Sequence, residues 1–516
     1  MKINFNLRFI FILFLIQNIS FSQGLIINKN TDKLYKKTAT KYSSFSSYEK
    51  GLPKKMDMSM YLPSIMNQED LGTCVGISSA YYLRTILEAK RLNITDKHVI
   101  DTLSFSPSYL YNAIKDTSDT ECLNGTEITK ALDFLKNNGN AKLTEQPYKN
   151  WCNNKASIKL KDESKIMDYI RVFGLIDQVD DINEAAKKAL SEGTPLIAGI
   201  ITTQSLQKMH FSKTLWARFK AFLGFKLDES EDYRLWRLDD NRPFRGGHAL
   251  CIIGYDDNKY GGAYQVANSW GTWWGDNGLF WIKYTDFPKV AKYCFQAYLT
   301  DVPNKNETEM TAQVNLHFGS SISENDVPFI RNTIKNNSDT TNQLIAYQLP
   351  NQKDLDNYFF EADIDKQSYL YLIGKNENVN ETQLLFPNAD STSALLGSNT
   401  KFILPSPERN PITNNLEQKL YSLVPPIGKE YWLFLFSKTK LDIHEYVGKL
   451  NKSKNKFPNQ VLAVFGKKLV PFHKIKYDSK KIGFTLSGSH SGQIIPLLIS
   501  FDHVPMEKGE FLGLGN

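Results

Sequence analysis

Residues 67–87 read Asn67-Gln68-Glu69-Asp70-Leu71-Gly72-Thr73-Cys74-Val75-Gly76-Ile77, then Ser-Ser-Ala-Tyr-Tyr-Leu-Arg-Thr-Ile-Leu. From Cys74 onward Ile77, Ala80, Tyr81, Leu83, Ile86 and Leu87 recur at helical spacing. Gly72 and Thr73 suit a tight turn into that helix. Cys74 is therefore expected at a helix N-terminus, where the macrodipole and the free N–H groups favour a thiolate.

Outward from this helix, Ser106-Pro107 reads as an N-cap followed by proline at the first helical position. A third helix carries Ile128, Ala131, Leu132 and Leu135 and ends near Gly139. A fourth is expected from about Ile182 to Leu190, with Asp181 as its cap and Gly193-Thr194-Pro195 as its stop. Strands are expected at Leu196 to Ile201, Ala249 to Gly254, Ala263 to Ala267 and Leu279 to Ile282. Helices first and strands second predict an α+β fold with a helical lobe against a sheet or barrel lobe and a cleft between them.

A thiol at neutral pH is a weak nucleophile until a histidine takes its proton. The histidine needs a third group to fix its ring and tautomer, and the tetrahedral intermediate needs donors aimed at its oxyanion. Three segments supply these parts. Gln68 stands six residues before Cys74; Gly247-His248-Ala249 opens an apolar strand ending in Gly254-Tyr255; and Asn268-Ser269-Trp270-Gly271-Thr272-Trp273-Trp274-Gly275-Asp276-Asn277-Gly278 follows the strand ending at Ala267. Together they resemble the papain family of cysteine peptidases over roughly residues 52–300, in the order Cys, His, Asn.

The resemblance implies a two-lobe fold, helical plus β-barrel-like, and a role for each residue. Cys74 attacks the scissile carbonyl, His248 exchanges the proton, Asn268 accepts from the His ring, and Gln68 donates to the oxyanion beside the Cys74 N–H. Trp270 shields the His–Asn bond, and Gly125 matches the first of the family's two cleft glycines. Gly125, Thr126, Gly247, Ala249 and Trp270 are the implied substrate-binding residues. The sequence departs from the family pattern at Val75, where Trp or Tyr is usual; at Leu71, where a bracing cysteine is usual; and at Thr126, where the second glycine is usual. Cys74 and His248 stand 174 positions apart, against about 130–150 in the family. An aromatic, charged insertion between Thr203 and Phe244, with Trp216, Phe219, Phe222, Phe225 and Trp236, accounts for the excess. It either overhangs the cleft or lies on the surface. Nothing in the sequence obviously blocks the cleft, so an endopeptidase is expected over an exopeptidase; the family's long inhibitory proregion does not fit in residues 23–50, so any latency is expected from a short leader, the insertion or the second domain.

The chain has 516 residues, and single cores stop growing at roughly 250–300. Residues 1–22 read as a secretory signal peptide, with Lys2 and Arg8 ahead of the apolar run Phe9 to Ile16 and Ser20 and Ser22 before the cleavage point. Residues 23–50 read as a polar leader or linker, 51–302 as the papain-like domain, and 310–505 as an all-β sandwich domain. Strands are expected there at Tyr358 to Ile364, Ser368 to Ile373, Gln383 to Phe386 and Glu430 to Phe436, and the Lys-rich stretch Lys449 to Lys456 as a solvated loop. The segments Tyr369 to Ile373, Leu385 to Asn388 and Pro426 to Tyr431 resemble an uncharacterised β-sandwich family found on bacterial peptidases and kinases. That resemblance implies a spacer or binding module.

The formal charge is +7. Removing Lys2 and Arg8 with the signal, which carries no acid, leaves 7 − 2 = +5. A weakly basic chain without a nucleic-acid module predicts no nucleic-acid partner. No later stretch is apolar enough to span a membrane. Of five cysteines, Cys122 and Cys152 flank the third helix and are expected to pair. Cys251 reads as a core residue, and Cys294 stays ambiguous. No zinc-ligand spacing or phosphate loop occurs, so no cofactor is expected. The expected function is a secreted or periplasmic peptidase acting on protein or peptide substrates through a Cys74 thioester. The alternatives are an acyltransferase using the same triad and an inactive binding protein on the same scaffold. Oligomeric state is not legible.

Overall fold

The computed structural model describes residues 24–42, 51–148, 152–153, 157–207, 209, 219–220, 222–225, 232–238, 246–300, 308–318, 329–336, 339–389, 391–410, 412–413, 416–488 and 492–506. The signal-peptide reading of residues 1–22 lies outside them, as does the stretch 301–307 where one expected domain gives way to the next.

The helix that begins at Cys74 runs as an α turn over Cys74–Gly76, widens to π geometry over Ile77–Arg84, and returns to α over Thr85–Arg91. It is buried almost all round, with Cys74 to Ala89 inside the core, and the charged pair it buries, Arg84 and Glu88, is joined at 2.7 Å. Pro107–Ile114 packs beside it, and the Ser106 side chain accepts from the Tyr109 N–H as a cap. Ile128–Asn137 follows. The fourth helix covers Val179–Ser191, three residues earlier than expected. Gln178 precedes it without a side-chain cap, and Asp181 lies inside the first turn. Asp180 and Asp181 there favour the N-terminal end through its dipole, so acidity marked the helix start correctly and its cap wrongly.

The strands of this half form one sheet. Its order is Asp168–Arg171, Ala291–Tyr298, Leu196–Thr202, Gly246–Asp256, Ala263–Ala267, Leu279–Lys283 and Leu235–Trp236, with Lys55–Asp57 paired to Gly246–Asp256. The two end strands do not pair with each other. The fold is α+β with an open sheet, so the barrel-like lobe expected from the resemblance is not a closed barrel. Gly246–Asp256 lies at the centre and is buried on both faces, which is why its sequence is an unbroken apolar run.

Strands from Thr308 to Val504 form two further large sheets and a two-stranded ribbon of Glu408–Arg409 with Leu416–Glu417. One runs Ile330–Asn336, Asp339–Gln348, Ile494–Val504, Gly428–Ser437, Ser368–Asn376, Gln383–Phe386; the other Thr400–Leu404, Asn357–Ile364, Thr308–Phe318, Gly483–Ser487, Ile475–Tyr477. Side chains alternate between two cores. Leu370, Leu372, Trp432, Phe434 and Phe436 face the space between the sheets, while Tyr369, Tyr371, Ile373, Tyr431, Leu433 and Leu435 face outward. Two helices, Ile443–Lys452 and Phe457–Phe465, cover that outer face with Tyr446, Leu450, Phe457, Val461 and Phe465. The domain is thus a sandwich with a helical layer and not all-β. Lys449 and Lys452 end the first of these helices instead of standing in a loop. A lysine-rich end suits a helix C-terminus, and the apolar residues Tyr446 and Leu450, one turn apart, are the helical signal that the charges obscured.

The outer core also takes in Ile170 and Tyr298 of the first domain. The Tyr369 hydroxyl donates to Asp168 Oδ2 at 2.9 Å, and Gln367 Nε2 donates to the Leu299 carbonyl at 3.0 Å. No helix among the described residues is long and apolar enough to cross a membrane.

Candidate active site

The helix from Cys74 holds the site together through three residues spaced by four. Cys74 stands at its first turn, fully buried, and accepts the Ala249 N–H on Sγ at 3.5 Å. Ser78 Oγ donates to the Ala249 carbonyl at 2.8 Å. The Tyr82 hydroxyl donates to the Asn268 carbonyl at 2.9 Å and accepts the Met66 N–H at 3.1 Å. One helix face therefore fixes the strand residue next to His248, the backbone of Asn268, and the segment leading to Gln68. Ser78 and Tyr82 were missed in the sequence; their spacing of four and eight from Cys74, which puts them on its side of the helix, was their signal.

His248 is fully buried on the central strand. Its Nε2 lies 2.8 Å from Asn268 Oδ1. The same Oδ1 accepts the Ser269 N–H at 2.8 Å, which sets the amide orientation, and a carbonyl oxygen only accepts. His248 Nε2 therefore carries the proton, and Nδ1 of the neutral ring is a bare lone pair. Nδ1 has no hydrogen-bond partner among the described residues. Trp270, itself buried, stacks on the imidazole with centroids 4.9 Å apart and planes at 27°. Trp274 packs edge-on against Trp270 and Phe280. The aromatic layer keeps water from the His–Asn bond, which strengthens it.

Gln68 is buried. Its Nε2 donates to the Leu71 carbonyl at 2.8 Å and its Oε1 accepts from Ser269 Oγ at 2.5 Å. The Gln68 N–H donates to the Ser269 carbonyl at 2.7 Å. Ser269 thus orients both the Gln68 amide and, through its own N–H, the Asn268 amide; the sequence reading passed over it.

Cys122 and Cys152 are joined by a disulfide. Leu71, at the position where the family has a bracing cysteine, packs beside that disulfide with Tyr111 and Tyr148. The Gly72 N–H donates to the Cys122 carbonyl at 2.8 Å, so the loop before Cys74 is braced without a bond of its own. Cys251 and Cys294 are free and buried. Trp236 of the insertion is buried and sends its indole N–H to Ser205 Oγ at 3.0 Å, whereas Phe219, Phe222 and Phe225 are exposed. Trp216 lies outside the described residues.

Burial dominates both ionisable groups. It pushes the Cys74 thiol up to about 11, against backbone hydrogen bonds from Ala249, Gly24, Val75 and Cys74 itself. It pushes the His248 imidazole down to about 4, against the bond to Asn268. The pair is therefore neutral in this state. The cause of the burial includes a segment that was expected to be a linker. Gly24 to Ile26 run through the cleft: Leu25 bridges Gly247 in antiparallel and Thr126 in parallel fashion, and the Thr126 N–H donates to the Gly24 carbonyl at 2.8 Å. The residues implied as substrate-binding, Thr126, Gly247 and Ala249, are here covered by the chain's own leader. A short leader, one of the sources of latency that the sequence leaves open, thus lies across the cleft, with Leu25 buried and its backbone paired to both walls.

Residues 235–297 match the family described as papain family cysteine protease, and these residues carry His248, Asn268 and Trp270. Over these residues the chain is similar to that family. Over 273 residues it is 24% identical to an uncharacterized peptidase C1-like protein of Acanthamoeba polyphaga mimivirus, covering 50% of this chain and 76% of that one. Over 215 residues it is 27% identical to cysteine proteinase 2 of Entamoeba histolytica, covering 42% of this chain and 58% of that proteinase. Among solved structures, xylellain, a cysteine protease from Xylella fastidiosa, aligns over 54% of this chain and 96% of its own, with 20% identity and a TM-score of 0.39.

Proposed function

We propose that this papain-like cysteine peptidase hydrolyses peptide bonds of protein substrates through a thioester on Cys74. The observation that carries the reading is the His248 tautomer: with Nε2–H held by Asn268 Oδ1, Nδ1 is left as a basic lone pair on the residue before Ala249, whose N–H holds the Cys74 sulfur. In the working state His248 Nδ1 takes the thiol proton, the thiolate attacks the carbonyl carbon, and the imidazolium returns the proton to the leaving amine. Water then attacks the thioester with His248 as base, and Cys74 is released. The Cys74 N–H, at a helix N-terminus, and the Gln68 amide act on the oxyanion. Trp270 and Asn268 hold the imidazolium in place.

Export to an oxidising compartment is part of the proposal. It is supported by the Cys122–Cys152 disulfide, a bond that persists outside the reducing cytosol. The test is labelling by a thiol-directed epoxide together with hydrolysis of a generic protein substrate such as casein. Wild type, once its cleft is open, labels and hydrolyses; Cys74→Ala does neither. Hydrolysis that survives Cys74→Ala sinks the assignment.

A further inference from the structure

The leader does more than touch the cleft. It is held at three successive places, and the last of them is on the other domain. In the cleft the Leu25 N–H donates to the Gly247 carbonyl at 3.2 Å, the Ile26 N–H to the Thr126 carbonyl at 3.0 Å, and the Thr126 N–H to the Gly24 carbonyl at 2.8 Å. Leu25 is buried among Cys74, Ile128, Ala249 and Tyr293. The approach is backbone against backbone. A Cβ on Gly24 would stand 2.1 Å from the Gly72 carbonyl oxygen, one on Gly125 2.2 Å from the Gly24 oxygen, and one on Gly247 2.3 Å from the Leu25 oxygen.

Beyond the cleft, Lys29–Lys37 is a helix capped by Asn28. Its Tyr35 is buried, donates to the Phe173 carbonyl at 2.7 Å and accepts the Cys294 N–H at 3.1 Å. After the helix the chain enters the seam between the domains. On one side the Arg171 N–H donates to the Ala39 carbonyl at 3.0 Å and the Lys41 N–H to the Arg171 carbonyl at 2.9 Å. On the other the Thr40 N–H donates to the Ser391 carbonyl at 2.6 Å and the Ser393 N–H to the Thr40 carbonyl at 2.9 Å. Lys41 Nζ reaches back to Glu192 Oε2 at 2.7 Å. The Tyr42 hydroxyl donates to the Ile403 carbonyl at 2.6 Å, and its ring packs on Phe386 and Phe402 with centroids 4.8 and 5.1 Å away.

We propose that the sandwich domain is an intramolecular partner of the leader: its surface formed by Phe386, Ser391, Ser393, Phe402 and Ile403 grips Thr40 and Tyr42, and that grip keeps Gly24 to Ile26 in the cleft. Whatever weakens the grip raises the fraction of molecules with an open cleft, because only one short helix separates the two holds. The inference rests on the peptidase reading only for its consequence in hydrolysis; access to Cys74 is measured separately.

The experiment compares full-length wild type, Gly24→Ala and Tyr42→Ala for the iodoacetamide alkylation rate of Cys74, with Cys74→Ala as background, and for casein hydrolysis, after circular dichroism has shown each variant folded. Gly24→Ala, which pushes the strap off Gly72 directly, raises alkylation by roughly tenfold or more, and Tyr42→Ala, acting from the far domain, by about tenfold, each being the loss of a few packing contacts and hydrogen bonds that hold the closed state. Tyr42→Phe keeps the ring, loses the bond to Ile403, and gives a rise of about threefold to tenfold; it serves if Tyr42→Ala does not fold. A rise with Gly24→Ala and none with either Tyr42 variant overturns the role of the sandwich. No rise with any of them overturns the strap as well. Faster alkylation in both Gly24 and Tyr42 variants without any hydrolysis leaves the strap and its anchor standing and overturns the peptidase reading.

Discussion

The Nε2–H of His248 donates to Asn268 Oδ1 at 2.8 Å, and that oxygen is shared with the Ser269 N–H. The second donor matters, because it prevents the Asn268 amide from flipping and offering its NH₂ to the ring. Asn268→Ala leaves the tautomer and ring angle unset, and kcat/KM is expected to fall on the order of 10²-fold with the Cys74 labelling site intact. A variant within a factor of two of wild type, measured on a strap-released background, would remove Asn268 from the site.

Ser269 acts through Gln68. Its Oγ donates to Gln68 Oε1 at 2.5 Å, which aims the amide nitrogen away from Ser269 and toward the loop before Cys74. Gln68→Ala is expected to lower kcat about 10²–10³-fold as the loss of one oxyanion donor. Ser269→Ala should lower kcat by about tenfold with KM little changed, because the amide keeps its bond to Leu71 but loses its orienting donor. An effect on KM alone would contradict a transition-state role for Gln68.

Tyr82 ties two arms of the site to one helix, accepting from the Met66 N–H and donating to the Asn268 carbonyl. Tyr82→Phe leaves both buried backbone groups without that partner, at a cost of about 1–3 kcal/mol. Thermal unfolding checks the stability loss. The accompanying fall in kcat should exceed that of Tyr81→Phe, whose hydroxyl serves Ser64 instead.

The buried pair gives the closed chain a pH window. The folded His248 is held down to about 4 from an ordinary 6.5, so below 6.5 the unfolded chain binds a proton that the folded one refuses, and this contribution to stability is lost as pH falls from 6.5 toward 4. The folded Cys74 is held up at about 11 from 9, so stability is lost as pH rises from 9 toward 11. Both contributions are complete between. Calorimetry of wild type against Cys74→Ala should show the alkaline loss only in wild type, and His248→Phe should flatten the acid side. Equal slopes in wild type and variants would show that these groups do not set the window.

Cys122–Cys152 closes a 30-residue loop, and removing it as a Ser/Ser double variant is expected to cost ~2–4 kcal/mol. The same change loosens the turn before Cys74, since Gly72 donates to the Cys122 carbonyl and Leu71 packs on the bridge. Tm should fall, and activity should fall by more than the unfolded fraction explains. An unchanged Tm would argue that the leader and Tyr148 brace this loop alone.

Local pattern was enough to place the elements that carry the candidate site. The apolar spacing after Cys74, the Gly-Gly-His step into a strand, and the Asn-Ser-Trp-Gly turn after Ala267 each fix a short element, and each element aims one functional side chain. Strand positions in the sandwich were legible for the same reason: strands whose two faces both meet a core are continuous apolar runs. The features that local pattern could not carry all depend on partners distant in sequence. The open sheet and the helical cover of the sandwich are decided by which strand edges and faces find a neighbour. Ser78, Tyr82 and Ser269 are ordinary polar residues until the fold puts a carbonyl or an amide opposite them. Gly24 to Tyr42 has no apolar periodicity of its own; what orders it is unpaired backbone on Gly247 and Thr126 at one end and on Ser391 and Ser393 at the other. Backbone hydrogen-bonding capacity is the same for nearly every residue, so a sequence does not show where an extended segment will be held, and only the tertiary structure does.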